Sequence, residues 1–218
     1  MMSDGCSGGS CSGGSCQSDQ DRLPPGMLSR YDLDLDTGMG TLIWAETSDS
    51  KIDDSVIRLI GRIRSTSNDR IFAMITGPAE IRPLYDVLFS YGVDTIYHIR
   101  SKALEVFDAD LYADALSDIA RRINPMFVTF SATDRGDEVA RLTGPSLDRD
   151  VGFDRKDVLK VDDVLTIEKS DSGTITTFRG SFESPIITTV DTAGFDIPKR
   201  IEGRKGTVIS RPFTASRS

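Results

Sequence analysis

The chain has 218 residues, of which 38% are hydrophobic and 28% are charged, and its formal net charge is −8. This length suffices for one sizeable core, and the acidic balance argues against general nucleic-acid binding, which needs a basic surface. No apolar run approaches the roughly 20 residues that cross a bilayer, and the start of the chain is unlike a secretory signal, so a cytoplasmic protein without a membrane span is expected.

Residues 1–40 differ in composition from the rest. A five-residue unit, Cys-Ser-Gly-Gly-Ser, recurs and places cysteines at Cys6, Cys11 and Cys16. Glycine and serine bury little and are costly to order, so the sequence predicts a flexible or redox-sensitive segment. The alternative is that the three thiolates hold zinc or an iron–sulfur cluster, although the four-residue gaps and the lack of a fourth cysteine differ from the usual spacings.

From Thr41 onward, short apolar runs alternate with helical patterns. The runs that predict buried strands are 41–45, 71–75, 95–99 and 126–130. The intervening patterns predict a helix capped near Asp53, a helix that stops at Gly92, a helix over 108–122, and a helix containing Val139. This alternation predicts an α/β fold of three layers, with a mostly parallel sheet and helices on both faces, like adenine-nucleotide-binding domains.

The pattern changes beyond residue 150. Val158–Glu168, Thr174–Phe178 and Pro185–Val190 read as strands with turn signals between them, which predicts an antiparallel extension of the sheet. Residues 193–218 are basic and weakly patterned and are expected to form an arm. The predicted organisation is therefore an N-terminal segment over 1–40, a domain over 41–192 and a basic arm over 193–218.

The order of four segments resembles the α subunit of electron-transfer flavoproteins. They are the apolar strand that ends in Ala-Glu at 42–46, the segment 90–97 that leads into the third predicted strand, the start of the predicted helix at 108–116, and the strand, loop and helix at 125–140. No single motif is diagnostic, but their order is maintained over roughly 150 residues, and the resemblance covers about 41–192. Ser131 stands where the family has glycine, and Asp137 where it has arginine.

This resemblance implies a subunit that supports electron transfer and is not an enzyme by itself. It implies FAD as cofactor, a β-type subunit as partner and a dehydrogenase as a further partner. Nothing after residue 192 resembles the family's FAD-holding domain, and about 26 residues cannot fold into one. We therefore expect FAD to be held mainly by partner chains, which include a separate FAD-domain chain.

The loop after the fourth predicted strand carries the candidate cofactor-binding residues Ser131, Thr133, Arg135 and Gly136. Ligands of open α/β sheets bind at the carboxyl ends of strands, and a helix N-terminus attracts phosphate. The alternative is that Thr133 or Asp134 only caps the helix.

A function of a different class remains open, namely a stand-alone module of the stress-protein type that binds adenine nucleotide such as AMP. The absence of a glycine-rich phosphate loop weakens that interpretation. The single histidine, His98, lies in an apolar strand pattern and is expected to pack in the core.

Overall fold

A computed structural model describes residues 40–77, 81–161, 164–169, 174–179 and 185–213. The cysteine repeat and the rest of the predicted N-terminal segment before residue 40 lie outside these ranges. The described chain contains four α-helices, which are α1 (Asp54–Thr66), α2 (Arg82–Tyr91), α3 (Ala109–Ile123) and α4 (Asp134–Ser146), and a short 3-10 helix at Lys102–Leu104. Its strands are β1 (Thr41–Trp44), β2 (Thr47–Ser48), β3 (Lys51–Ile52), β4 (Ile71–Thr76), β5 (Thr95–Arg100), β6 (Phe127–Ser131), β7 (Val151–Val161), β8 (Val164–Lys169), β9 (Ile175–Arg179), β10 (Ile186–Val190) and β11 (Thr207–Pro212).

Nine of these strands form one sheet in the order β11-β5-β4-β1-β6-β10-β7-β8-β9. The pairings from β11 through β7 are all parallel, and β8 and β9 continue the sheet in antiparallel fashion. β2 and β3 form a separate short hairpin directly after β1. The mostly parallel α/β sheet with an antiparallel extension is thereby confirmed.

Helices cover both faces of the sheet, as predicted. The side chains of Ile43, Ala73 and Ile96 pack with α1 and α2 on one face. On the other face, Leu42 and Met74 pack with α3 and α4. Because successive strand residues point to opposite faces, two faces covered by helices produce strands that are apolar at nearly every position.

Local sequence signals set the predicted ends of these helices. The Asp53 carboxylate caps α1 by accepting a 2.9 Å hydrogen bond from the N–H of Ser55. Asp108 caps α3 in the same way through the N–H of Leu111. Gly92 ends α2 with a φ of 121°, a conformation that is strained for residues with a Cβ. The predicted boundaries at Asp53 and Gly92 are confirmed.

The C-terminal strands differ in two respects from the prediction. The pattern over 158–168 predicted one strand, but β7 ends at Val161 and β8 begins at Val164. The strand predicted from Pro185 was grouped with the antiparallel strands, whereas β10 lies between β6 and β7 and is parallel to both. Strand direction depends on which neighbour the strand pairs with, and a short apolar run does not contain that information.

The prediction of a basic arm was wrong for residues 207–212, which form β11 at the edge of the sheet beside β5. The N–H of Thr207 donates a 2.9 Å hydrogen bond to the carbonyl of Asp94, and Arg204 donates one of 2.6 Å to the Asp94 carboxylate. Pro198 packs on Gly61 of α1, so the segment that leads into β11 crosses the outside of that helix. An edge strand is half-exposed, which explains its weak hydrophobic pattern.

Candidate functional site

Three parallel strands end close together at the carboxyl edge of the sheet. β1 ends before Glu46, neighbouring β4 leads into Gly77, and β6 on the other side of β1 ends at Ser131. Glu46 is only 8% exposed although it is a carboxylate, and a buried carboxylate needs compensating partners. This edge is where ligands of open α/β sheets bind.

The Thr133 hydroxyl connects Glu46 to the first turn of α4. It accepts a 2.9 Å hydrogen bond from the N–H of Gly136, so Thr133 is the N-cap of α4. The same hydroxyl donates a 2.7 Å hydrogen bond to a carboxylate oxygen of Glu46. Thr133 therefore has the capping role that its position predicted, and the cap is coupled to a buried acid that follows the central strand β1.

Burial raises the pKa of the Glu46 carboxyl above its ordinary value, and the nearby charge of Asp53 raises it further. The hydrogen bond from Thr133 and the positive charge of Arg135 act in the opposite direction. Burial is the largest of these effects, so the site favours the neutral carboxyl more than water does.

Arg135 is exposed, and its guanidinium lies over the ring of Phe107 at 4.8 Å from the centroid. Phe107 in turn stacks on Trp44, with ring centroids 6.2 Å apart, and Tyr112 packs edge-on against Trp44. A cavity of about 190 Å³ lies between these groups and is lined by Arg135, Phe107, Trp44 and Tyr112, among others. The aromatic cluster therefore fixes a cation beside an open cavity.

The four predicted cofactor residues have different environments. Ser131 is 4% exposed, and its hydroxyl has no hydrogen-bond partner in the described part of the chain. Gly136 is buried, and a Cβ there would lie 2.0 Å from the carbonyl oxygen of Ser131. Gly136 thus allows α4 to approach β6 closely. The Thr133 hydroxyl already makes two hydrogen bonds within the protein, one to Glu46 and one from Gly136. Arg135 is the member of the set whose charged group is exposed.

Two features at the start of α4 are of the kind that attract anions. A helix N-terminus and an exposed arginine suit an anion that approaches from outside. The start of α4 and Arg135 are therefore suited to an anion at this edge of the sheet.

Sequence reasoning did not single out Glu46, Phe107 or Tyr112 as site residues. Glu46 is the first charged residue after the apolar run of β1, which is the signal that could have identified it. Phe107 and Tyr112 lie about 60 residues further along the chain, and only the packing of α3 on the sheet brings them to β1.

His98 is 2% exposed, and both ring nitrogens have partners. Nε2 lies 2.7 Å from the carbonyl oxygen of Gly77, which can only accept, so Nε2 donates this hydrogen bond. A neutral imidazole has one N–H, so Nδ1, which lies 2.5 Å from the Tyr85 hydroxyl, accepts a hydrogen bond from that hydroxyl. Burial lowers the pKa of this imidazole. His98 therefore joins β5 to the end of β4 and to α2, as expected for a packed residue.

The predicted metal ligands Cys6, Cys11 and Cys16 lie outside the described residues. Among the residues that the structure does describe, no group of three or more histidine, cysteine, aspartate or glutamate side chains is placed to hold a metal ion. Likewise, no helix in the described ranges is long and apolar enough to span a bilayer.

Comparison with known proteins agrees with this fold. The family model of the electron transfer flavoprotein domain matches residues 41–216, which extend from β1 past β11. A 101-residue stretch is 26% identical to the electron transfer flavoprotein subunit alpha of Thermoanaerobacterium thermosaccharolyticum, covering 45% of this chain and 30% of that subunit. The resemblance to the α-subunit family is thereby confirmed. The chain belongs to the electron transfer flavoprotein domain family.

Proposed function

We propose that the chain is an α-type subunit of an electron-transfer flavoprotein-like complex and serves as a scaffold for flavin-mediated electron transfer. The observation that carries this proposal is the family match over 41–216, which includes the parallel strands and the edge strand β11. The α-subunit relative supports the α type over the β type. In this proposal the chain pairs with a β-type subunit in the cytoplasm and is not an enzyme alone.

FAD would be held mainly by partner chains, including a separate FAD-domain chain, and would exchange electrons with a dehydrogenase. Of the predicted site residues, Arg135 and the first turn of α4 would face the flavin nucleotide. Thr133 and Gly136 would set the position of that turn, and Ser131 would lie behind it. The redox chemistry belongs to the flavin, and the protein sets its position and electrostatic environment.

The test is co-expression of the full chain with the β-type subunit and any FAD-domain chain from the same organism. We expect the chains to co-elute in size-exclusion chromatography with a flavin spectrum, and the flavin to be reduced by a cognate dehydrogenase. Recovery of a colourless chain that assembles with neither partner would overturn the proposal. In that case, binding of AMP by the lone chain would favour the stress-protein-like module, and an iron–sulfur spectrum would favour the cysteine-ligated cluster.

Arg135 provides a residue-level test in the assembled complex. Arg135→Gln removes the exposed cation of α4 and should weaken retention of FAD during dialysis. Lys199→Gln removes an exposed cation in the segment before β11 and should leave retention unchanged. Equal retention in both variants would contradict the placement of the flavin at the α4 edge, while leaving subunit assembly to be judged separately.

A further inference from the structure

A second region of the carboxyl edge contains two adjoining cavities on the opposite side of β1 from α4. One cavity has a volume of about 540 Å³ and lies among α2, the β2–β3 hairpin and the loop after β5. The other has a volume of about 260 Å³ and opens beside Arg100 and Lys102. Gly77 and Glu105 line both cavities, so the two volumes form one groove, which we call the α2 groove.

The larger part of the α2 groove has an apolar wall and a polar floor whose hydrogen bonds are already made. Ile81, Leu84 and Leu104 contribute to the wall. In the floor, Thr76 donates a 3.0 Å hydrogen bond to the Tyr112 hydroxyl, which donates one of 2.9 Å to the Leu104 carbonyl. Because these floor groups satisfy one another, an apolar body could cover them without breaking their hydrogen bonds.

The smaller part of the groove is cationic. Arg100 and Lys102 line it and are exposed, and Arg82 follows Ile81 at the start of α2. Among the described residues that line the two cavities, Glu105 is the one acid. Arg100 and Lys102 together suit the charge of a phosphate group, although the chain as a whole has a net charge of −8.

Gly77, which lines both parts of the groove, is fixed by a hydrogen bond from the buried His98. The carbonyl of Gly77 accepts the 2.7 Å hydrogen bond from His98, which in turn contacts Tyr85 of α2. Gly77 has a φ of 144°, a backbone conformation that glycine adopts easily and that is strained for residues with a side chain. The groove is therefore built on buried, hydrogen-bonded elements, as a preformed small-molecule site is.

We propose that the α2 groove binds an organic phosphate monoester, with its apolar or aromatic body against the Ile81–Leu84–Leu104 wall and its phosphate at Arg100 and Lys102. The phosphate position at Arg100 and Lys102 is at the opposite end of the groove from Arg135, whose cavity adjoins the larger part of the groove through Thr47, Thr76, Glu105 and Tyr112. The charge on the groove favours a dianionic phosphate over a single carboxylate, and the wall favours an organic body over inorganic phosphate.

The experiment is calorimetric titration of the full chain with inorganic phosphate, phenyl phosphate and benzoate at low and moderate salt. Phenyl phosphate should bind at least about tenfold more tightly than inorganic phosphate, because it also buries a ring. It should also bind more tightly than benzoate, and its affinity should fall with added salt. Equal affinity for phenyl phosphate and inorganic phosphate, or no binding of either, would overturn the proposal.

Variants locate the site and separate this proposal from the proposed function. The double variant Arg100→Gln, Lys102→Gln should lose at least about tenfold in affinity for phenyl phosphate, because two charge-assisted contacts are removed. Lys199→Gln should bind it as the parent chain does, and Arg135→Gln should lose less affinity than the double variant. Loss of affinity in Arg135→Gln with none in the double variant would overturn the α2 groove and leave the flavin proposal standing. Circular dichroism and the unfolding midpoint verify that each variant is folded.

Discussion

The Thr133 hydroxyl donates a 2.7 Å hydrogen bond to the buried carboxylate of Glu46 and so couples the first turn of α4 to the end of β1. The same oxygen accepts the N–H of Gly136. One side chain thus satisfies a helix end and a buried acid together, and this defines the site at the centre of the carboxyl edge.

Removal of the Thr133 hydroxyl should destabilise the fold. Thr133→Val keeps the shape but loses the helix cap and leaves Glu46 without its donor, so we expect a loss of about 1–3 kcal/mol in the free energy of unfolding. Thr133→Ser retains the hydroxyl and should lose less. Urea unfolding measures both, and equal stability of the valine variant and the parent would contradict the coupling.

Glu46 should make stability depend on pH. Its pKa is raised above the ordinary 4.5 in the folded protein, so the folded state binds the proton more tightly than the unfolded state. Stability is therefore lost as pH rises from about 4.5 through the raised pKa. Glu46→Gln should be more stable than the parent at neutral pH, and the difference should shrink toward pH 4.5 and below. Glu202→Gln, which removes an exposed carboxyl, is the control, and its free energy of unfolding at neutral pH should stay close to that of the parent.

His98 should contribute a pH dependence of the opposite sign. Its pKa is lowered from 6.5 by burial, with Arg82 and Arg100 adding in the same direction, so the unfolded state binds the proton more tightly. The contribution to stability is present above pH 6.5 and is lost as pH falls toward the lowered pKa. Nitrogen NMR shifts should show the proton on Nε2, as required by donation to Gly77 and acceptance from Tyr85. A proton on Nδ1 at neutral pH would contradict this assignment.

Gly136 should tolerate no side chain. A Cβ there would lie 2.0 Å from the Ser131 carbonyl oxygen, so Gly136→Ala must move α4 away from β6 and should cost about 1–3 kcal/mol or more in unfolding free energy. Gly194→Ala is the matched control, since no atom lies within 4 Å of the added Cβ. Comparable stability of the two alanine variants would contradict the close approach.

Asp94 should be the main anchor of the segment that leads into β11. It forms ion pairs with Arg64 and Arg204 and accepts a 2.9 Å hydrogen bond from the N–H of Ile71. Asp94→Asn retains the neutral acceptor but removes both ion pairs, so we expect a loss of about 1–3 kcal/mol in unfolding free energy and faster proteolysis near Arg204.

The control for Asp94 is Asp118→Asn, which removes an exposed ion pair with Arg122 one helical turn away. Such pairs contribute roughly 0.3–0.5 kcal/mol, so this variant should stay close to the parent in urea unfolding. If both asparagine variants lost the same small amount, the Asp94 cluster would contribute no more than a surface pair.

The sequence by itself determined the features that depend on neighbouring residues. The apolar runs from Thr41 to Phe130, the cap at Asp53 and the stop at Gly92 predicted alternating strands and helices, because helix capping and hydrophobic periodicity act over a few residues. The loop after β6 was also identified as a candidate site, since strand ends and helix starts are local features.

Only the tertiary structure decided the features that join distant parts of the chain. Glu46 and Thr133 are 87 positions apart, and nothing local to either predicts their hydrogen bond. β10 lies parallel between β6 and β7, and β11 pairs with β5 at the far edge of the sheet. Pairing of this kind is decided by how the remaining edges and apolar faces are covered, which is a property of the assembled sheet and not of the strand's own residues.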